Sequence, residues 1–125
     1  MRKTLSLSLK RPAADETSAP AHPAAAIIEA AMLRKLRVRA IYNRTEMQFA
    51  PHILYTRHDD PFVDGVVMER EGKPPREIKL ASFKLAGLSG LTLTTERFEP
   101  QAVFDPAESR YEGCTLAKLK LDPVS

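Results

Sequence analysis

Hydrophobic and polar positions alternate with period two through most of the middle of the chain, most clearly over residues 47–93, where three apolar runs are separated by turn-forming clusters. Such alternation marks strands with one buried face. Residues 37–42 set Val38, Ala40 and Tyr42 against Arg37 and Arg39, a first strand. The chain turns over residues 43–46, and residues 47–57 form a second strand, bent or bulged near Pro51, which cannot donate to a ladder. The cluster His58-Asp59-Asp60-Pro61 is a compact turn. Residues 62–70 form a third strand, with Gly65 inside it as a bulge or a point of close approach. A loop over residues 71–75 leads to a fourth strand at 76–83. A short turn over 85–90, with room for one turn of 3₁₀ helix, leads to a fifth strand at 91–98.

Upstream the period is helical. Over residues 23–36, Pro23 suits a first turn, five alanines favour helix, and Ile28, Met32 and Leu36 recur every four residues on one apolar face. Arg34 and Lys35 complement the dipole at the far end. One helix followed by about five short, mostly hairpin-linked strands predicts a mainly β, α+β domain: a small antiparallel β-barrel over residues 23–98. Residues 1–22 read as a flexible basic leader, although Leu5, Leu7 and Leu9 alternate with polar residues in a pattern able to add an edge strand. Residues 99–125 spread Phe104, Tyr111, Leu116, Leu119 and Leu121 too widely for a defined element, and read as an arm packed on the barrel or on a second subunit.

Charge and composition narrow the classes. A chain of 125 residues with 43% hydrophobic and 28% charged residues supports one ordinary globular core. Its net charge of +3 lies entirely before Arg37, and the remainder is balanced. A basic leader suits an anionic partner and equally a solubilising role. The single cysteine, Cys114, excludes an intramolecular disulfide or a cysteine metal cluster, which fits a cytoplasmic protein. No apolar run approaches the roughly 20 residues that span a bilayer, and serines interrupt the leucines of the leader, so neither a membrane span nor a secretory signal is expected.

Catalytic spacing is not evident. His58-Asp59-Asp60 is the best metal candidate, but adjacent turn residues cannot all face one ion, and a solvated turn is the simpler reading. Asp64 lies between Val63 and Gly65 in an apolar run, so it is either outward on an edge or held by a buried partner. Cys114 has no local activating group. Neither a phosphate loop nor a nucleophile elbow is present. The expectation is a protein that is not an enzyme and needs no cofactor. Binding is better motivated. Tyr42, Tyr55, Phe62 and Phe83 lie on or near the same strands as Arg39, His52, Arg57, Lys79 and Lys84, and barrels of the Sm, SH3 and OB type hold nucleotides through cations and stacked rings. On the fourth strand Lys79, Ala81 and Phe83 share one face, and Lys84 takes the other.

The order of these segments resembles the WYL domain, a small Sm-like β-barrel of bacterial regulators. Arg37-Val38-Arg39-Ala40-Ile41-Tyr42 looks like its basic first strand, and Ala50-Pro51-His52-Ile53-Leu54 is similar to its Glu-Pro-aromatic-x-Leu segment. Phe62-Val63-Asp64 stands in the place of the Trp-Tyr-Leu triplet, and Phe83-Lys84-Leu85 in that of Phe-Arg-Leu. The resemblance covers about residues 27–98. It implies a non-enzymatic, ligand-sensing module for transcription regulation, binding an anionic ligand such as single-stranded nucleic acid or a nucleotide. Carried over by position, the ligand-binding residues are His52, Val63 and Lys84, with Arg39 and Tyr55 as neighbours. Val63 replaces the family's tyrosine, and Lys84 keeps the charge of arginine without its bidentate fork. Family members usually carry a helix-turn-helix domain as well, and one helix precedes Val38 here, so a stand-alone sensor is expected. The alternative is a protein-interaction or assembly module, homo-oligomers included, with the barrel as scaffold and the terminal arms docking on a partner.

Overall fold

The computed structural model describes residues 23–120; the leader, with its Leu5–Leu9 alternation, and residues 121–125 lie outside the described residues. A helix, α1 (Pro23–Arg34), precedes six strands: β1 (Leu36–Tyr42), β2 (Thr45–Arg57), β3 (Asp60–Arg70), β4 (Leu80–Lys84), β5 (Ser89–Arg97) and β6 (Thr115–Lys118). Single 3₁₀ turns occupy Leu85–Gly87 and Ser109–Tyr111. The helix stops where Lys35 adopts φ 57°, a left-handed residue that the α-helix cannot continue through. Leu36, expected as the last helical residue, therefore opens β1.

Two-residue reversals join the first three strands. Asn43 and Arg44 sit at φ 51° and 64° between the paired Tyr42 and Thr45, and His58 and Asp59 at 51° and 69° between Arg57 and Asp60. Positive φ at both central residues is what a type I′ hairpin turn requires, and Asn43 and Asp59 accept that conformation more readily than most side chains. His58-Asp59 is thus turn backbone, while Asp60 already belongs to β3.

All ladders are antiparallel and the strand order is β4-β3-β2-β1-β5, with β6 joined to β2. β4 and β5 end the path without pairing to one another, so the sheet is open and is not the expected closed barrel. β4 is only five residues long, and the loop before it makes no ladder that would carry the sheet further. Among the described residues, no helix is long and apolar enough to cross a membrane.

β2 is the central strand. β3 lines one side of it, while β1 pairs with its first half and β6 with its second on the other side. Its register with β3 slips between Pro51↔Gly65 and Ile53↔Asp64, leaving His52 as the extra residue of a bulge. The bulge inverts the alternation: Met47 and Phe49 join Leu54 in the main core, whereas Ile53 and Tyr55 face the opposite side. Residues 49–55 are consequently buried on both faces. α1 covers the main core with Ala24, Ala25, Ile28, Ala31 and Met32. The described part of the C-terminal arm folds back on this same sheet, where Phe104 and Tyr111 cover Ile53 and Tyr55.

Gly65 is a point of close approach. It lies opposite Pro51, and a Cβ built on it would stand 2.6 Å from the Ala50 carbonyl oxygen and 3.0 Å from Cδ2 of Phe49.

Candidate functional site

The second face of the sheet carries a buried polar cluster. Cross-strand register sets Ile53, Asp64 and Ser82 in one row and Tyr55, Phe62 and Lys84 in the next. Asp64 is fully buried. Its Oδ1 accepts the Tyr55 hydroxyl at 2.6 Å, and its Oδ2 accepts the Tyr111 hydroxyl at 2.6 Å and Arg110 Nη2 at 2.9 Å. Arg110 also donates to the Tyr111 oxygen at 2.9 Å and to Glu108 Oε1 at 2.7 Å. Burial, followed by the hydrogen bonds to Asp64, pushes the Tyr55 and Tyr111 hydroxyls above the ordinary phenol range. Both phenols are held neutral as donors, and three donors occupy the carboxylate. The arrangement suits a latch between arm and sheet better than a proton acceptor facing a substrate. A small hollow of about 180 Å³ opens beside it, lined by Tyr55, Arg57 and Arg110. The Arg57 guanidinium lies over the Phe62 ring, 4.9 Å from its centroid.

Of the residues singled out in the sequence, Tyr55 and Lys84 share this face. Lys84 pairs with Asp60 at 3.2 Å. His52 is fully buried. Its Nδ1 lies 2.8 Å from the Ala50 carbonyl and its Nε2 accepts the Gln101 N–H at 3.0 Å, which assigns the neutral tautomer protonated on Nδ1. The rings of Phe98 and Phe104 pack on it at 5.4 and 5.2 Å, and burial lowers its pKa despite the bond to Ala50, which acts the other way. Val63 is fully buried in the main core, on the face opposite Tyr55. Arg39 pairs with Glu46 at 3.6 Å and borders a hollow that also contains Glu69 and Glu71. The five residues do not converge: His52 and Val63 have no exposed surface, and Arg39 sits among carboxylates.

A larger concavity lies elsewhere, in a groove of about 620 Å³ between the end of β3 and the loop leading to β4. Four cations line it, Arg70, Lys73, Arg76 and Lys79, against two carboxylates, Glu71 and Glu77. Its apolar lining comes from Val67, Ala81 and the Pro74-Pro75 pair. Lys79 approaches Glu77 only to 4.0 Å, with both side chains mostly exposed, so this pair neutralises little. The strand pattern singled out Lys79 and Ala81 but not the groove. Its signal was a cation at every third position from 70 to 79. The fourth strand, expected from residue 76, begins at Leu80, because two prolines without N–H groups precede the segment and keep it off the ladder.

Among the described residues, no group of three or more His, Cys, Asp or Glu side chains is placed to hold a metal ion. No family model, curated protein or solved structure matches the chain.

Proposed function

We propose that the chain is a non-enzymatic, WYL-like ligand-sensing module that binds an anionic ligand in the groove between β3 and the 71–79 loop. One observation carries the reading: four cations face two carboxylates around a cavity of about 620 Å³, in a part of the chain whose charges sum to zero. A concave, partly apolar wall concentrates such a field and raises the local density of anions. The commitment of Asp64 to Tyr55, Tyr111 and Arg110 supports binding over catalysis. An assembly module is the second reading, favoured by the open edges of β4 and β5.

Fluorescence anisotropy with a labelled ten-nucleotide thymidine strand and a labelled glutamate-rich peptide tests the reading. Saturable binding to either, weakened by added salt and by the double variant Arg76→Glu/Lys79→Glu, is the expected outcome. Failure of both probes to bind at low salt would refute it.

A further inference from the structure

The groove is also an interruption in the sheet. β3 continues to Arg70, but its ladder with β4 stops at Val66↔Leu80, and beyond it only the isolated bridge Arg70↔Lys73 touches that side. Among the described residues, no strand pairs with residues 67–69 on the β4 side. Residues 74–79 belong to no strand, and the ladder between β3 and β4 takes in none of them as partners. Pro74 and Pro75 provide no donors and hold the loop away from β3. The result is a short, half-buried length of strand edge without a ladder partner on the β4 side, with Val67 bordering the groove that the four cations line.

We propose that this gap is filled by an extended acidic peptide, which adds as a strand along residues 67–69 of β3 and sets its carboxylates against Arg70, Lys73, Arg76 and Lys79. Strand addition supplies affinity through backbone bonds to an open edge, and the flanking side chains supply selectivity. Carboxylates on one face of a strand recur about every 7 Å, so charges spaced in this way can meet separate cations. A peptide fits better than single-stranded nucleic acid. None of the groove's lining residues is aromatic, so bases would have nothing to stack on. Glu71 and Glu77 would oppose a continuous phosphate backbone, whereas a peptide can place neutral residues beside them. The inference rests on the anionic-ligand reading and names the class of ligand.

The test uses three capped ten-residue peptides of alternating Glu and Val, one unmodified, one N-methylated at every Glu and one at every Val, beside the thymidine strand as a separate arm. A strand bound by one edge presents alternate amides to its neighbour. The expected result is that one methylated peptide binds at least about tenfold more weakly than the unmodified one while the other retains its affinity. Arg76→Glu/Lys79→Glu, at exposed positions whose substitution leaves circular dichroism unchanged, weakens the unmodified peptide by a similar factor. Hydrogen exchange at residues 67–69 slows on binding. Equal effects of the two methylation patterns overturn strand addition. Binding of the thymidine strand without binding of the peptide overturns the inference and leaves the anionic-ligand reading intact. Binding of neither overturns both.

Discussion

Tyr111 donates its hydroxyl hydrogen to Asp64 Oδ2 at 2.6 Å, joining residues 47 positions apart in the chain. With the Tyr55 hydroxyl on Oδ1 and Arg110 on Oδ2, this bond fastens the C-terminal arm to the second face of the sheet. The acid is tolerated at a fully buried position because each carboxylate oxygen has a donor.

Removing one donor and removing the acceptor differ in cost. Tyr111→Phe deletes the bond to the buried Asp64 together with the bond from Arg110 to the same hydroxyl, and is expected to lower stability by about 1.5–3 kcal/mol. Asp64→Ala strands two buried hydroxyls and Arg110, and is expected to cost about 3–5 kcal/mol. Urea denaturation checks the order, which must place Asp64→Ala below Tyr111→Phe in stability if the cluster is a latch.

The same cluster predicts alkaline behaviour. In the fold, Tyr55 and Tyr111 ionise above their ordinary value of 10.0, so above that pH the unfolded chain gives up protons that the native state keeps. Their contribution is complete below pH 10.0 and is lost as pH rises beyond it. Tyrosinate absorbance from these two residues should therefore appear together with the loss of β circular dichroism. Full titration of all three tyrosines in a still-folded protein would contradict the cluster.

His52 predicts a separate acid step. The unfolded ring takes up a proton near 6.5 and the buried ring only at lower pH, so the unfolded state binds more protons in that window. Stability should fall as pH drops below 6.5, until the folded value is reached. His52→Gln, whose amide can both donate and accept but does not titrate, should flatten this slope above the carboxylate range, whatever it costs in absolute stability. Thermal melts at several pH values provide the comparison.

At Gly65 space is decisive. A methyl group 2.6 Å from the Ala50 carbonyl oxygen forces β2 and β3 apart where the bulge already strains their register, so Gly65→Ala is expected to destabilise by about 1–3 kcal/mol or more. Chemical denaturation of the variant measures it.

What the sequence revealed came from local rules. Alternation marked β1, β2, β3 and β5, and turn chemistry marked Asn43 and Asp59, since each needs only a residue and its near neighbours. β6 escaped notice because Thr115–Lys118 has no burial rhythm of its own and exists through pairing with β2. Asp64 was readable as either outward or held by a partner, but the partner came from Arg110 and Tyr111, far along the chain. His52 stood by position as a ligand-binding residue with Tyr55 as a neighbour, but the bulge centred on it places its ring between Phe98 and Phe104. The groove was hidden by arithmetic: beyond Leu36 the charges sum to zero, which conceals four cations gathered at the end of β3 and along the loop after it.

The central claim, an anion site beside β4, is tested most directly by backbone amide chemical shifts recorded while an acidic peptide is titrated into the protein. The predicted result is that the largest changes fall in residues 66–81, lose strength as salt is added, and vanish in Arg76→Glu/Lys79→Glu. Changes centred instead on Tyr55, Arg57 and Lys84, or no changes at low salt, would contradict it.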